Sequence, residues 1–179
     1  MQYVNPFNLL SLQVIDPEKI KKAKKRLLAD IELSETNSIQ IHGVIIMKSE
    51  LLRIIDELDD KDKYDYHSYI FHNNALNNFL SVGSLNLFEN FRYESIYKVS
   101  KFRDFVSPFF AEKYDKILTE HYKLRNQSIL ATILNVKPIV NDFYLHRCYK
   151  GVFNILQKRL SEIEKVYSNL KVISKRHYS

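Results

Sequence analysis

Few residues of this chain stand at a spacing that could support catalysis. His121 lies four residues before Arg125, and side chains at that spacing share one face of a helix. A histidine beside an arginine could transfer protons in a nuclease-like reaction, but general acid–base catalysis also needs a positioned partner, and the sequence shows none. A helical enzyme centred on His121 and Arg125 is therefore the third function hypothesis, ranked below two kinds of binding protein.

Metal, phosphate and nucleophile sites are not supported by the sequence. None of the six histidines pairs with another at the i, i+4 spacing of a helical metal site. Three glycines are too few for a glycine-rich phosphate loop. The single cysteine, Cys148, has His146 two residues away, but side chains two apart on a helix point about 200° from each other. We predict no metal and no cofactor.

The composition indicates an ordinary globular chain that is rich in helix. Hydrophobic residues make up 45% of its 179 residues and charged residues 27%, with only three Gly and four Pro to form tight turns. No stretch approaches the roughly 18 apolar residues of a membrane helix. The N-terminus lacks a signal-peptide pattern, and one cysteine cannot form an internal disulfide. We expect a cytoplasmic protein without a membrane partner.

Start and stop signals predict an all-α, multi-helix bundle. Asp16-Pro17-Glu18 supplies an N-cap, a proline at the first helical position and an acid in the first turn, and Ser107-Pro108 repeats the signal. Pro138 is expected to open the last and longest helix. The least helical segment, 34–48, is predicted to hold a small β-hairpin at 38–47 across the two-residue turn His42-Gly43, or a buried loop. A candidate boundary near 82–84 divides an N-terminal region, 1–82, from a C-terminal region, 83–179, and a single domain is the alternative.

The last helix carries the clearest periodicity in the chain. Apolar residues alternate spacings of 4 and 3 at Tyr149, Phe153, Leu156, Leu160, Ile163, Tyr167 and Leu170. Strict 4–3 alternation is the seam of a helix that lies along another helix. Two interpretations stay open: packing on the chain's own core, which we favour for 149–160, and contact with another chain. In the second, Ile163, Tyr167 and Leu170 bind a partner protein or form a homo-oligomer.

Charge is unevenly distributed along the sequence. Residues 121–179 carry 11 Lys/Arg against 3 Asp/Glu, an excess of +8, whereas the rest of the chain is close to balanced. Such an asymmetry indicates an anionic partner, or else a solvated helix face that is rich in lysine. The residues that would contact nucleic acid are Lys158, Arg159, Lys165, Lys171, Lys175 and Arg176.

The N-terminal third resembles a known module. Phe7, Leu10 and Leu12 precede Pro17-Glu18-x-Ile20-Lys21-Lys22-Ala23 and Leu27, and Leu51-Leu52-x-Ile54-Ile55-x-x-Leu58 leads to Asp60-Lys61 and Tyr64-Asp65. In these positions residues 1–66 resemble a degenerate J domain, through which co-chaperones address their ATPase chaperone. The His-Pro-Asp loop of that family is absent near Glu32-Leu33-Ser34, so the resemblance implies no chaperone activation. It implies a protein partner for the basic face of the second helix, formed by Lys21, Lys22, Lys25 and Arg26; an unrelated basic amphipathic helix is the alternative.

These observations order the function hypotheses. The first is a non-enzymatic protein–protein interaction or adaptor module, a component of a larger complex. The second is a nucleic-acid-binding protein that uses the basic C-terminal third. The helical enzyme comes third.

Overall fold

The computed structural model describes residues 3–41 and 44–176. Helices account for 75% of them, and within these ranges the only sheet is a two-stranded antiparallel hairpin. This confirms the predicted all-α class, its long C-terminal helix and its hairpin at 38–47. The expected two-residue turn, His42-Gly43, lies outside the described residues. No described helix is both long and apolar enough to cross a membrane.

The elements follow one another with short connections. The helices are α1 (Pro6–Leu9), α2 (Pro17–Leu33), α3 (Lys48–Asp56), α4 (Lys61–His72), α5 (Asn74–Val82), α6 (Asn86–Glu89), α7 (Ser100–Lys123), α8 (Gln127–Leu134), α9 (Asp142–Leu145) and α10 (Lys150–Arg176). Short 3₁₀ helices cover Glu57–Asp59, Ser95–Lys98 and His146–Tyr149. Strands β1 (Ser38–Ile41) and β2 (Val44–Met47) pair with Ser38 opposite Met47.

Side-chain caps start several helices, and the cap predicted at Asp16 is confirmed. Asp16 accepts a hydrogen bond from the Lys19 backbone N–H at 2.9 Å, which fixes the start of α2. Asn73 and Asn126 cap α5 and α8 in the same way. Gly83 ends α5 with φ of 79°, a left-handed conformation that favours glycine.

Two predictions based on proline are wrong. Pro108 lies inside α7 instead of starting it, because apolar side chains on both sides of it, such as Phe102 and Phe110, are buried in the core and hold the helix together. Pro138 is buried in the connection after α8. The next helix begins at Asp142, where Asn141 Oδ1 accepts from the Tyr144 N–H at 3.0 Å. A cap therefore starts this helix, and the proline does not.

Helix α7 is the centre of the main core. Its buried residues are Phe102, Val106, Ser107, Phe110, Ala111, Tyr114, Ile117 and Leu118. Helices α4, α5, α8 and α10 and the 3₁₀ segment His146–Tyr149 all contact it. The rings of Phe79 and Phe110 lie 4.7 Å apart, so this core joins residues from both sides of position 82. The division into 1–82 and 83–179 stays a prediction.

Candidate interaction surface on the C-terminal helix

The first turns of α10 are attached to α7. The Gly151 N–H donates to Asp115 Oδ1 at 2.7 Å, and Arg159 Nη1 donates to Tyr122 Oη at 3.2 Å. Val152 packs against the main core between these two contacts. Because contacts advance in the same direction along both helices, α10 lies alongside the C-terminal half of α7.

Gly151 sets how closely the two helices approach. A Cβ at this position would overlap Thr119 Oγ1 and lie 3.0 Å from Thr119 Cγ2, so a side chain here would have to displace Thr119. The absence of a side chain therefore brings α10 against α7 and fixes which face of α10 meets the body of the protein.

Beyond Arg159, α10 extends past the end of α7. Helix α7 ends at Lys123, one residue after Tyr122, whereas α10 continues to Arg176. Residues 160–176 add about 25 Å of helix at 1.5 Å per residue. Every side chain from Leu160 to Ser168 is exposed. The second half of α10 is thus a projecting arm.

The apolar seam of α10 faces solvent. Its exposed residues, with Val166 beside them, are Phe153 (57%), Leu156 (49%), Leu160 (58%), Ile163 (65%), Val166 (59%) and Tyr167 (59%). The expectation that residues 149–160 pack on the chain's own core is therefore wrong for Phe153, Leu156 and Leu160. The reason is geometric: on a helix of 3.6 residues per turn, the seam lies roughly 100° around from the face that meets α7. The side chain of Leu170 lies outside the described side chains.

Among the seam residues whose side chains are described, Tyr149 alone meets the core. Its ring packs edge-on against that of Tyr114 at 5.7 Å, and its side chain is half-buried. The position lies at the junction of the 3₁₀ segment and α10, where the chain still follows α7 closely.

The basic residues of α10 lie apart from the seam. Lys158 and Lys165 are exposed on roughly the opposite side of the helix, and Arg159 is exposed between the seam and α7. Nothing is described of the side chains of Lys171, Lys175 and Arg176. Helix α10 is therefore amphipathic, with its apolar and basic faces separated.

The basic face of α2 is also open to solvent. The side chains of Lys21, Lys22, Lys25 and Arg26 are exposed, whereas Ile31 on the other side of the helix is buried. That this face binds a partner stays a prediction.

The expected pairing of His121 and Arg125 on one helical face is wrong. Helix α7 ends at Lys123, and Arg125 adopts a left-handed conformation with φ of 56°. The Asn126 N–H donates to the His121 carbonyl at 3.0 Å, so the chain turns away at this point. The two side chains do not occupy successive turns of one helix.

A buried polar cluster in the structure was not predicted from the sequence. Tyr3 Oη lies 2.9 Å from His67 Nδ1, and His67 Nε2 lies 3.0 Å from Glu57 Oε2. Asn5 Nδ2 donates to Tyr3 Oη at 3.2 Å and to the His67 carbonyl at 3.0 Å. These residues are up to 64 positions apart, so no local spacing could reveal them.

This cluster is built as a structural clamp. Tyr3 and His67 are only 2% and 1% exposed, so a substrate has no access to the atoms that could transfer a proton. Burial raises the pKa of Tyr3 well above its usual range, which keeps its hydroxyl protonated. The cluster ties the N-terminal segment to α4.

Other chemistry among the described residues is also limited. No group of three or more His, Cys, Asp or Glu side chains in these ranges could hold a metal ion. Burial raises the pKa of the Cys148 thiol to about 12, which disfavours the nucleophilic thiolate. A cavity of 710 Å³ between α1, α4 and α5 is lined partly by Asn5, Asn8, Asn74 and Asn77, and no Asp, Glu, Lys or Arg borders it.

The seam of α10 is therefore the candidate functional surface. It is an exposed apolar surface of regular spacing on an arm that its own domain does not cover, and such surfaces mark interaction sites. Compared with known proteins, the chain matches no protein-family model, no curated protein and no solved structure.

Proposed function

We propose that this chain is a non-enzymatic helical interaction module whose docking element is the projecting arm of α10. The observation that supports it is the exposed 4–3 seam from Phe153 to Tyr167. Burying a fully exposed apolar side chain is worth about 1.5–3 kcal/mol. The seam residues are about half exposed, so a docked helix would add on the order of 1 kcal/mol for each of them.

The seam favours a protein partner over nucleic acid. Phosphate contacts require cationic side chains, and the bulky apolar residues of the seam contribute nothing to them. The exposed cations Lys158 and Lys165 lie on roughly the opposite side of α10. Glu162 and Glu164 reduce the positive charge of the same turns. Nucleic acid therefore remains the alternative, carried by the charge excess alone.

Site-specific photo-crosslinking in the native host tests the proposal. A benzophenone amino acid replaces Ile163 on the seam in one variant and Lys165 on the opposite face in a matched control. We expect protein adducts from position 163 and few or none from position 165. The absence of any adduct at 163 would contradict the proposal, and nucleic-acid adducts at 165 would favour the alternative.

A further inference from the structure

We infer that the partner of the α10 seam is a second copy of this chain, bound through a parallel coiled coil in register. The inference rests on the proposed function, because it identifies what docks on the arm. It draws on three observations: the heptad positions of the seam, the charges that flank it, and the side on which the body of the protein is attached.

The seam residues occupy the two core positions of a heptad. Phe153, Leu160 and Tyr167 take position a, and Leu156 and Ile163 take position d, so that each presents an exposed side chain to the same side of α10. Aromatic and branched aliphatic side chains at a and d are the knobs that a second helix receives in its holes.

The flanking charges suit a parallel pair. Arg159 takes position g and Glu164 takes position e of the next heptad. In a parallel coiled coil a g residue faces the e residue of the following heptad on the other chain, which brings Arg159 of each copy to Glu164 of the other. The symmetric arrangement thus contains two ion pairs, each between an arginine of one copy and a glutamate of the other.

An antiparallel pair lacks this match. In that orientation e residues face e residues and g residues face g residues, so Glu164 meets Gln157, its own copy or Lys171 according to the register, and Arg159 meets no glutamate. The register with Lys171 attracts through a different pair of residues, so exchanging the charges at 159 and 164 distinguishes the two orientations.

The body of the protein leaves room for the second copy. Gly151, Val152 and Arg159 attach α10 to α7 on a face roughly 100° from the seam. A two-fold axis along the seam therefore places the two bodies on opposite flanks of the coiled coil. The ring of Tyr122 lies 5.5 Å from the Arg159 guanidinium and holds it beside the seam, near the position of the second copy's Glu164.

Charge exchange between two variants tests both the partner and its orientation. Light scattering on the full chain gives the mass of the wild type, of Arg159→Glu, of Glu164→Arg and of their equimolar mixture, against 21.3 kDa for one copy. We expect the wild type to associate. The dissociation constant of each single variant should be roughly tenfold higher than that of the wild type, because like charges then meet. The mixture should restore association, since the glutamate introduced in one variant then meets the arginine introduced in the other. Thermal melts of the same samples check that each variant is folded.

The outcomes separate this inference from the proposed function. A wild-type chain that stays monomeric at several hundred micromolar overturns self-association, and association that the mixture does not restore overturns the parallel register. If the chain is monomeric but position 163 still crosslinks to a different protein, the proposed function stands and this inference alone fails. If position 163 yields no adduct and the chain is monomeric, both fail.

Discussion

At the scale of single residues, the buried hydrogen bonds of His67 are the feature that we expect to be most sensitive to substitution. With the imidazole proton donated from Nε2 to Glu57, Nδ1 accepts from Tyr3 Oη, and Asn5 donates to that same hydroxyl. Each polar atom in this buried chain is then paired, which avoids the desolvation cost of an unpaired donor or acceptor.

Replacing Tyr3 with Phe should destabilise the protein. The change removes the donor to His67 Nδ1 in a site that water does not reach, so we expect the free energy of unfolding to fall by about 1–3 kcal/mol. Urea denaturation followed by circular dichroism measures it. As a control, Tyr93→Phe at an exposed ring should change stability by less than about 0.5 kcal/mol. Equal effects of the two variants would contradict a stabilising role for the buried hydrogen bond between Tyr3 and His67.

Glu57 should make stability depend on acidic pH. Burial alone would raise the pKa of this carboxyl, but the hydrogen bond from His67, together with the nearby cations Lys63 and Arg53, outweighs burial and lowers the pKa. The unfolded chain therefore takes up the proton first as pH falls below about 4.5, so this stabilisation is present above that value and is lost as pH falls through the lower, folded pKa.

The corresponding experiment compares Glu57→Gln with the wild type in urea denaturation between pH 7 and pH 3. The variant should be less stable at pH 7 and should lose less of its remaining stability below pH 4.5. Glu89→Gln, at an exposed carboxylate, serves as the control. Parallel pH profiles for Glu57→Gln and the wild type would refute the assignment.

At the scale of elements, the contact of α10 with α7 depends on Gly151. Gly151→Ala should force α10 away from Thr119, at a cost of about 1–3 kcal/mol for overpacking, even though alanine is the better helix former. Chemical denaturation of Gly151→Ala measures the loss, and the double variant Gly151→Ala with Thr119→Ala should recover much of it. A more stable Gly151→Ala single variant would mean that the two helices lie farther apart.

Replacing a leucine with aspartate should have very different costs on α10 and on α7. Leu160→Asp at the exposed seam should shift the melting temperature of the dilute monomer by no more than about 2–4 °C. Leu118→Asp on α7, where the leucine is 3% exposed, should lower stability by several kcal/mol and unfold much of the protein. A large loss for Leu160→Asp in the monomer would show that the seam packs on its own domain after all.

At the scale of the whole molecule, the charge asymmetry predicts non-specific binding to polyanions. Fluorescence anisotropy should detect binding to DNA or RNA of any sequence at low salt and its loss near physiological salt. The double variant Lys158→Glu and Lys165→Glu should reduce the slope of log affinity against log salt by roughly 2 and leave self-association unchanged. Sequence-selective binding that persists at physiological salt would make nucleic acid the partner.

How far the sequence alone could go depended on the range of the interactions involved. The start of α2 at Asp16-Pro17 and the hairpin at 38–47 were predictable, because caps, turns and side-chain alternation act over a few residues. Pro108 misled the prediction since its local signal for a helix start was weaker than the burial of its neighbours. The partners of His67 come from distant segments, so no pattern in the sequence could place them.

The seam of α10 shows most directly what the sequence determines and what the tertiary structure decides. Its 4–3 spacing is determined by the sequence, because the helical repeat places every third and fourth residue on one side. Whether that side meets the chain's own core or solvent was decided only in the tertiary structure, where Gly151 brings a different face of α10 against Thr119 and where α7 ends opposite Arg159. Periodicity fixes which residues share a face, but only the packing of one helix on another fixes the direction in which that face points.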